Sequence, residues 1–181
     1  YAEHPEVELY PEPLRPAIDA VNDWVYTLIN NGVYKAGFAR SQSAYESAAR
    51  GVFEGLTRAE ALLEESRFLT GPHVTEADIR LVTTLFRFDL VYHTHFKCNL
   101  RRIADYPNLS SFTRDMYQLP GIAETLDLEH VKLHYYLSHS ATNPFQIVPI
   151  GPDTLDFSAP HDRARLGDGE LFWVSNPPAA R

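Results

Sequence analysis

From Leu14 onward the apolar residues Leu14, Ala17, Ile18, Val21, Trp24, Val25, Leu28 and Ile29 fall three or four positions apart, the spacing of one stripe on a helix. The stripe predicts a helix that closes at Asn30-Asn31-Gly32, because a glycine can take the left-handed conformation that ends a helix. Ser41 offers an N-cap for a second helix, reaching about Phe68, with Tyr45, Ala48, Ala49, Val52, Phe53, Leu56, Ala59 and Leu63 on its apolar side. Thr70-Gly71-Pro72 stops it. Thr75-Glu76-Ala77-Asp78 then opens a third helix as a capping box, in which the Asp78 carboxylate reaches back to the cap, and Ile79, Val82, Leu85 and Phe86 form the buried side. Two more helices are predicted at Asn108 to Leu119 and Leu128 to Ser138, parted by the breaker Leu119-Pro120-Gly121. No alternating run supplies a strand, so the expected fold is all-α, a bundle of five helices.

The two ends read differently. His4-Pro5, Tyr10-Pro11-Glu12-Pro13 and Arg15-Pro16 disfavour helix before each proline, and residues 1–13 read as an interdomain linker. Residues 14–139 form the helical domain. After it, Pro144, Pro149, Gly151-Pro152, Pro160, Gly167, Gly169 and Pro177-Pro178 leave no room for long elements, and residues 140–181 are expected to wrap the surface as an extended tail. The chain opens on Tyr1 and its single methionine is Met116, which leads us to expect further sequence upstream.

Composition narrows the function. With 44% hydrophobic and 12% aromatic residues the chain is globular, and a net charge of −8 without a basic cluster argues against a nucleic-acid surface. No stretch approaches the roughly 18 apolar residues of a membrane helix, and no signal peptide precedes the first helix, so the chain is read as soluble and cytoplasmic. The single cysteine, Cys98, cannot form an internal disulfide and requires no oxidising compartment.

Two segments could carry chemistry. Asn31 to Arg40 reads as a glycine-punctuated loop in which Tyr34, Lys35 and Phe38 either bind a ligand or plug the end of the bundle. In His134-Tyr135-Tyr136 the adjacent phenols diverge by about 100°, so at most one faces a given cleft. A protonated phenol can donate to a ring oxygen while its face stacks on an aromatic ligand; the alternative is a core tyrosine with a satisfied hydroxyl. The spacings of His93 to His95 and of His134 to His139 diverge on a helix, which gives no reason to place a metal. Cys98, near a helix end and without an obvious base, reads as a buried structural cysteine. The chain holds no Walker loop, dinucleotide fingerprint or nucleophile elbow, so it carries no self-sufficient catalytic signature.

The order of these features resembles the C-terminal helical domain of the glutathione transferase superfamily. A finer match lies in Asn30 to Ala39, Thr75 to Leu81, Arg87-Phe88-Asp89, His95 to Asn99, Asp105-Tyr106-Pro107, His134-Tyr135-Tyr136 and Asn143-Pro144. Over about Tyr10 to Pro152 these segments look like the glutathionyl-hydroquinone reductases, also called Xi-class glutathione transferases. The resemblance implies an N-terminal thioredoxin-like domain, absent from this chain, that binds glutathione as co-substrate and supplies a nucleophilic cysteine. It further implies a glutathionylated hydroquinone as substrate, Tyr34 and Tyr135 as substrate-binding and assisting catalytic residues, Tyr136 as structural, and a homodimer. Other readings are an omega-like, cysteine-type glutathione transferase and a non-catalytic association module.

Overall fold

A computed structural model describes residue 4 and residues 6–174. The linker segment 1–13 and the tail 140–181 therefore lie partly outside the described residues. Among those described, six α-helices and short 3-10 and π turns form the chain, and its only β pairings are isolated bridges.

The first hydrophobic stripe forms one long rod. A 3-10 turn at Glu12–Leu14 leads into α1 (Arg15–Trp24), a π-helical turn at Val25–Asn30, and α2 (Asn31–Gly37) without a break. The predicted stop at Gly32 is thus corrected, and so is the loop after it. Gly32 stays helical because its missing side chain is needed elsewhere: a Cβ there would sit 2.9 Å from Cγ2 of Val52 on the neighbouring helix. The stripe survives past Asn30 because the π turn inserts residues that rotate the helix face.

That neighbour is α3 (Gln42–Glu65), capped by Ser41, whose hydroxyl accepts from the Ala44 N–H at 3.2 Å. It buries Val52, Leu56, Ala59 and Leu63 completely against the rod and the later helices. Next, α4 (Glu76–Arg87) opens as expected, with the Asp78 carboxylate accepting from the N–H groups of Thr75 and Leu69, both at 2.8 Å. A second π turn, Phe88–Tyr92, continues it, and all five of its residues are buried. Helices α5 (Pro107–Gln118) and α6 (Leu128–Ser138) complete the body close to their predicted bounds.

The segment read as a linker is held against the body from residue 7 on. Leu9 accepts from Glu76 N–H at 2.8 Å, Glu8 donates to Trp173 at 2.9 Å, and Val7 bridges Val174. The tail also does more than cross the surface. Gln118 donates to the carbonyls of Phe157 and Ala159, while Arg163, wholly buried, donates to the Leu63, Ser66 and Arg67 carbonyls at the end of α3. A guanidinium suits that place because the last carbonyls of a helix lack partners and carry its negative pole. Beside it, Arg67 and Asp115 form a buried bidentate pair, both contacts at 2.9 Å.

Candidate functional site

A cleft of about 600 Å³ opens between the rod and α4, lined on one side by Tyr26, Asn30 and Tyr34, on the other by Glu76 to Arg87, and closed at its end by Tyr92 and Tyr135. Both π turns border it. Tyr26 and Asn30 belong to the first and Tyr92 ends the second, so the two places where the helices depart from α geometry are also where the cleft receives its side chains. Asn30 fastens the walls together by donating to the Arg80 carbonyl at 2.9 Å and to the Thr84 hydroxyl at 2.7 Å.

The two tyrosines singled out in the sequence meet here. Their hydroxyls lie 2.6 Å apart, although the residues are 101 positions apart in the chain. Tyr136 turns away, as divergence on a helix requires, and packs its ring 4.6 Å from that of His95. A third phenol was not anticipated: the Tyr92 hydroxyl stands 2.8 Å from that of Tyr135, extending the contact to Tyr34–Tyr135–Tyr92. Its signal was available in the aromatic residues Phe88, Tyr92 and Phe96, four apart, but the surrounding run from Phe86 to Tyr92 is apolar nearly throughout and hides one phenol among core residues.

The direction of this hydroxyl chain follows from burial. Tyr92 is 2% exposed, and a buried O–H without an acceptor is costly, so Tyr92 donates to Tyr135. Whichever way the next bond runs, one proton of the Tyr34–Tyr135 pair is then left to face the cleft. Burial raises the Tyr92 phenol well above its ordinary range, with the bond it gives to Tyr135 adding to the effect. Tyr135 is pushed up to about 12, again chiefly by burial. The chain of phenols therefore stays protonated at neutral pH and acts as a donor.

Packing fixes its geometry. The rings of Tyr34, Tyr92 and Tyr135 lie edge-on to Phe96 or to each other, and Phe96 stacks on Tyr92 with ring centres 5.5 Å apart. Gly37 makes room for that ring, since a Cβ at this position would fall 2.2 Å from it. Phe38 packs on Phe96 and His139, so this part of the segment does close the bundle end while Tyr34 lines the cleft. Lys35 lies outside that cleft.

The remaining candidates separate clearly. Cys98 is fully buried and burial pushes its thiol up to about 12, which leaves no thiolate to act as a nucleophile at neutral pH. His95 and His139 do meet, with ring nitrogens 3.1 Å apart. Among the described residues, however, no group of three or more His, Cys, Asp or Glu side chains could hold a metal. Nor is any helix among them long and apolar enough to cross a membrane.

Residues 42–114 match the family described as Glutathione S-transferase, C-terminal domain. The chain is 55% identical over 156 residues to the glutathionyl-hydroquinone reductase YqjG of Escherichia coli, an alignment covering 86% of this chain and 47% of that protein. It is 52% identical over 145 residues to the glutathionyl-hydroquinone reductase PcpF of Sphingobium chlorophenolicum, covering 80% and 46%. The glutathione-bound structure of YqjG superposes with a TM-score of 0.84 over 86% of this chain and 50% of that one. The glutathione-S-transferase Xi from Phanerochaete chrysosporium, 53% identical, gives 0.82 over 87% and 53%. The chain spans about half the length of the curated relatives it matches, and the part matched is their C-terminal portion.

Proposed function

The chain belongs to the Xi-class glutathione transferases, as their C-terminal helical portion, and from that premise we propose that it forms the aromatic-substrate wall of a glutathionyl-hydroquinone reductase. The observation that carries this reading is the contact of the Tyr34 and Tyr135 hydroxyls, 2.6 Å apart at the wall of an aromatic-lined cleft. The other half of the site is a thioredoxin-like domain that binds glutathione and provides the reactive cysteine. Residues 1–13 lead from that domain, residues 14–139 carry the substrate side, and the whole works as a homodimer in the cytoplasm.

In the reaction, the cysteine thiolate attacks the sulfur of a glutathionylated hydroquinone. The bond between sulfur and ring carbon breaks, its electron pair stays on the carbon, and a phenol of the Tyr34–Tyr135 pair delivers the proton that completes the hydroquinone. The enzyme keeps a mixed disulfide with glutathione. A second glutathione ionises, returns a proton to the phenol, and displaces the cysteine to give glutathione disulfide. Tyr92 supports this by donating to Tyr135 from inside the core, which keeps the outer proton directed at the ligand.

The test is turnover of a glutathionylated hydroquinone by the longer protein that includes this chain and its upstream domain. Activity that falls in Tyr34→Phe and Tyr135→Phe supports the assignment. Equal activity in both variants and the parent would remove the tyrosines from the chemistry, and an upstream sequence without a reactive cysteine would end the reductase reading.

A further inference from the structure

The face of α4 that lines the cleft is polar along its whole length. Glu76, Arg80, Thr83, Thr84 and Arg87 follow one another at helical spacing and all five border the cavity. Glu76 and Arg80 neutralise each other across 2.6 Å. Arg87 is different. Its guanidinium donates back to the Thr83 carbonyl, and among the described residues it forms no salt bridge. In a chain of net charge −8, the cleft thus contains one uncompensated cation. It lies at the phenol end, near enough for its charge to favour the ionised form of Tyr135 against the larger, opposing effect of burial.

This end of the cleft is rich in donors and poor in acceptors. The phenols stay protonated and a guanidinium has no acceptor atom at all. A ring bearing only neutral hydroxyls satisfies the phenols but leaves Arg87 facing the ligand with its water removed, and an unpaired cation loses heavily on desolvation. A carboxylate or sulfonate on the ring removes that penalty, because the planar guanidinium fork matches such groups with two parallel hydrogen bonds.

We propose that Arg87 is a specificity residue that selects hydroquinones carrying an anionic group on the ring, with the phenols of Tyr34 and Tyr135 holding the ring oxygens beside it. The inference rests on the reductase reading for its substrate class. It does not rest on that reading for the charge it assigns to the cleft.

The experiment compares two glutathionylated hydroquinones, one with a ring carboxylate and one with the carboxamide of the same shape, using the longer protein that includes this chain. The parent should prefer the carboxylate in kcat/KM by about tenfold, the scale of one desolvated charge-assisted contact. In Arg87→Gln the ratio should fall to near one, and Arg87→Lys should retain part of it. A ratio near one in the parent overturns the proposal. So does an Arg87→Gln variant that loses the same factor on both substrates, since the anion met by Arg87 would then be glutathione's own carboxylate. If neither conjugate is turned over, the reductase reading fails, and free carboxylated hydroquinone and its carboxamide are titrated against parent and Arg87→Gln by NMR. Preference for the carboxylate that vanishes in the variant sustains the assignment of Arg87; equal affinities overturn it.

Discussion

Arg163 and Tyr135 are both buried polar side chains brought in from late in the sequence, yet they sit in environments with opposite logic. Around Arg163 every neighbour is an acceptor with nowhere else to turn: three carbonyls from the end of α3, beside the closed pair of Arg67 and Asp115. Tyr135 instead stands between two other hydroxyls, one sealed in the core and one at the cleft, so its bonds can be redirected when a ligand arrives. The first cluster is saturated by the protein itself and serves to hold α3, α5 and the tail together. The second stops one proton short of saturation, and that remaining donor is available for chemistry.

The sharpest way to break the contrast is Arg163→Ala. It strands three buried carbonyls and should cost about 3 kcal/mol or more in unfolding free energy by chemical denaturation, whereas Tyr135→Phe should cost about 1 kcal/mol. Stability losses of equal size would erase the distinction. Turnover should respond in reverse: Tyr34→Phe and Tyr135→Phe are expected to lower kcat of the longer protein on a glutathionylated hydroquinone by about a hundredfold, the usual scale of a lost proton donor. Tyr136→Phe, on the far side of α6, should stay within about twofold of the parent in the same assay.

Acid should loosen the region around the phenols. Burial holds the His95 imidazole down from 6.5 to about 4, with His139 and then Lys97 adding to the effect. The unfolded chain therefore takes up a proton there that the folded chain refuses, and this contribution to stability, fully present above about pH 6.5, is lost as pH falls towards about 4. Asp78, raised by burial to about 6, acts in the opposite sense over a similar window, since its folded form keeps a proton that the unfolded form releases. Comparing unfolding free energies of the parent and His95→Phe across this range isolates the histidine, and identical slopes would refute its role. The smallest effect expected is at Cys98, where a thiol reagent should label the folded protein slowly and the denatured protein fast, because burial pushes the thiol up to about 12.

Helices were legible wherever a stripe of apolar residues met a local start signal. Ser41 and the Thr75–Asp78 box both define real N-termini, and α5 and α6 begin and end within a residue of their predicted bounds. The local signal misled at Gly32, because the same residue that can end a helix is also the one that lets two helices approach closely, and only the position of Val52 distinguishes these uses. Tyr34 and Tyr135 could be singled out as suspicious, but their meeting depends on the path of the whole bundle. Tyr92 was lost in an apolar run. Arg163 had no pattern to reveal it, since a lone arginine in a stretch rich in proline and glycine gives no hint that it ends up inside.

The π turns carry a consequence for how this site tolerates change. Each is a phase shift written into the residue count: removing one residue within Val25–Asn30 would restore regular winding and swing everything after it by about 100°. Tyr34 would then leave the cleft although no side chain of the phenol chain had been altered. A one-residue deletion far from any hydroxyl would thus disarm the site as surely as replacing a tyrosine, so sequence length in these two turns is under the same constraint as the identity of the phenols themselves.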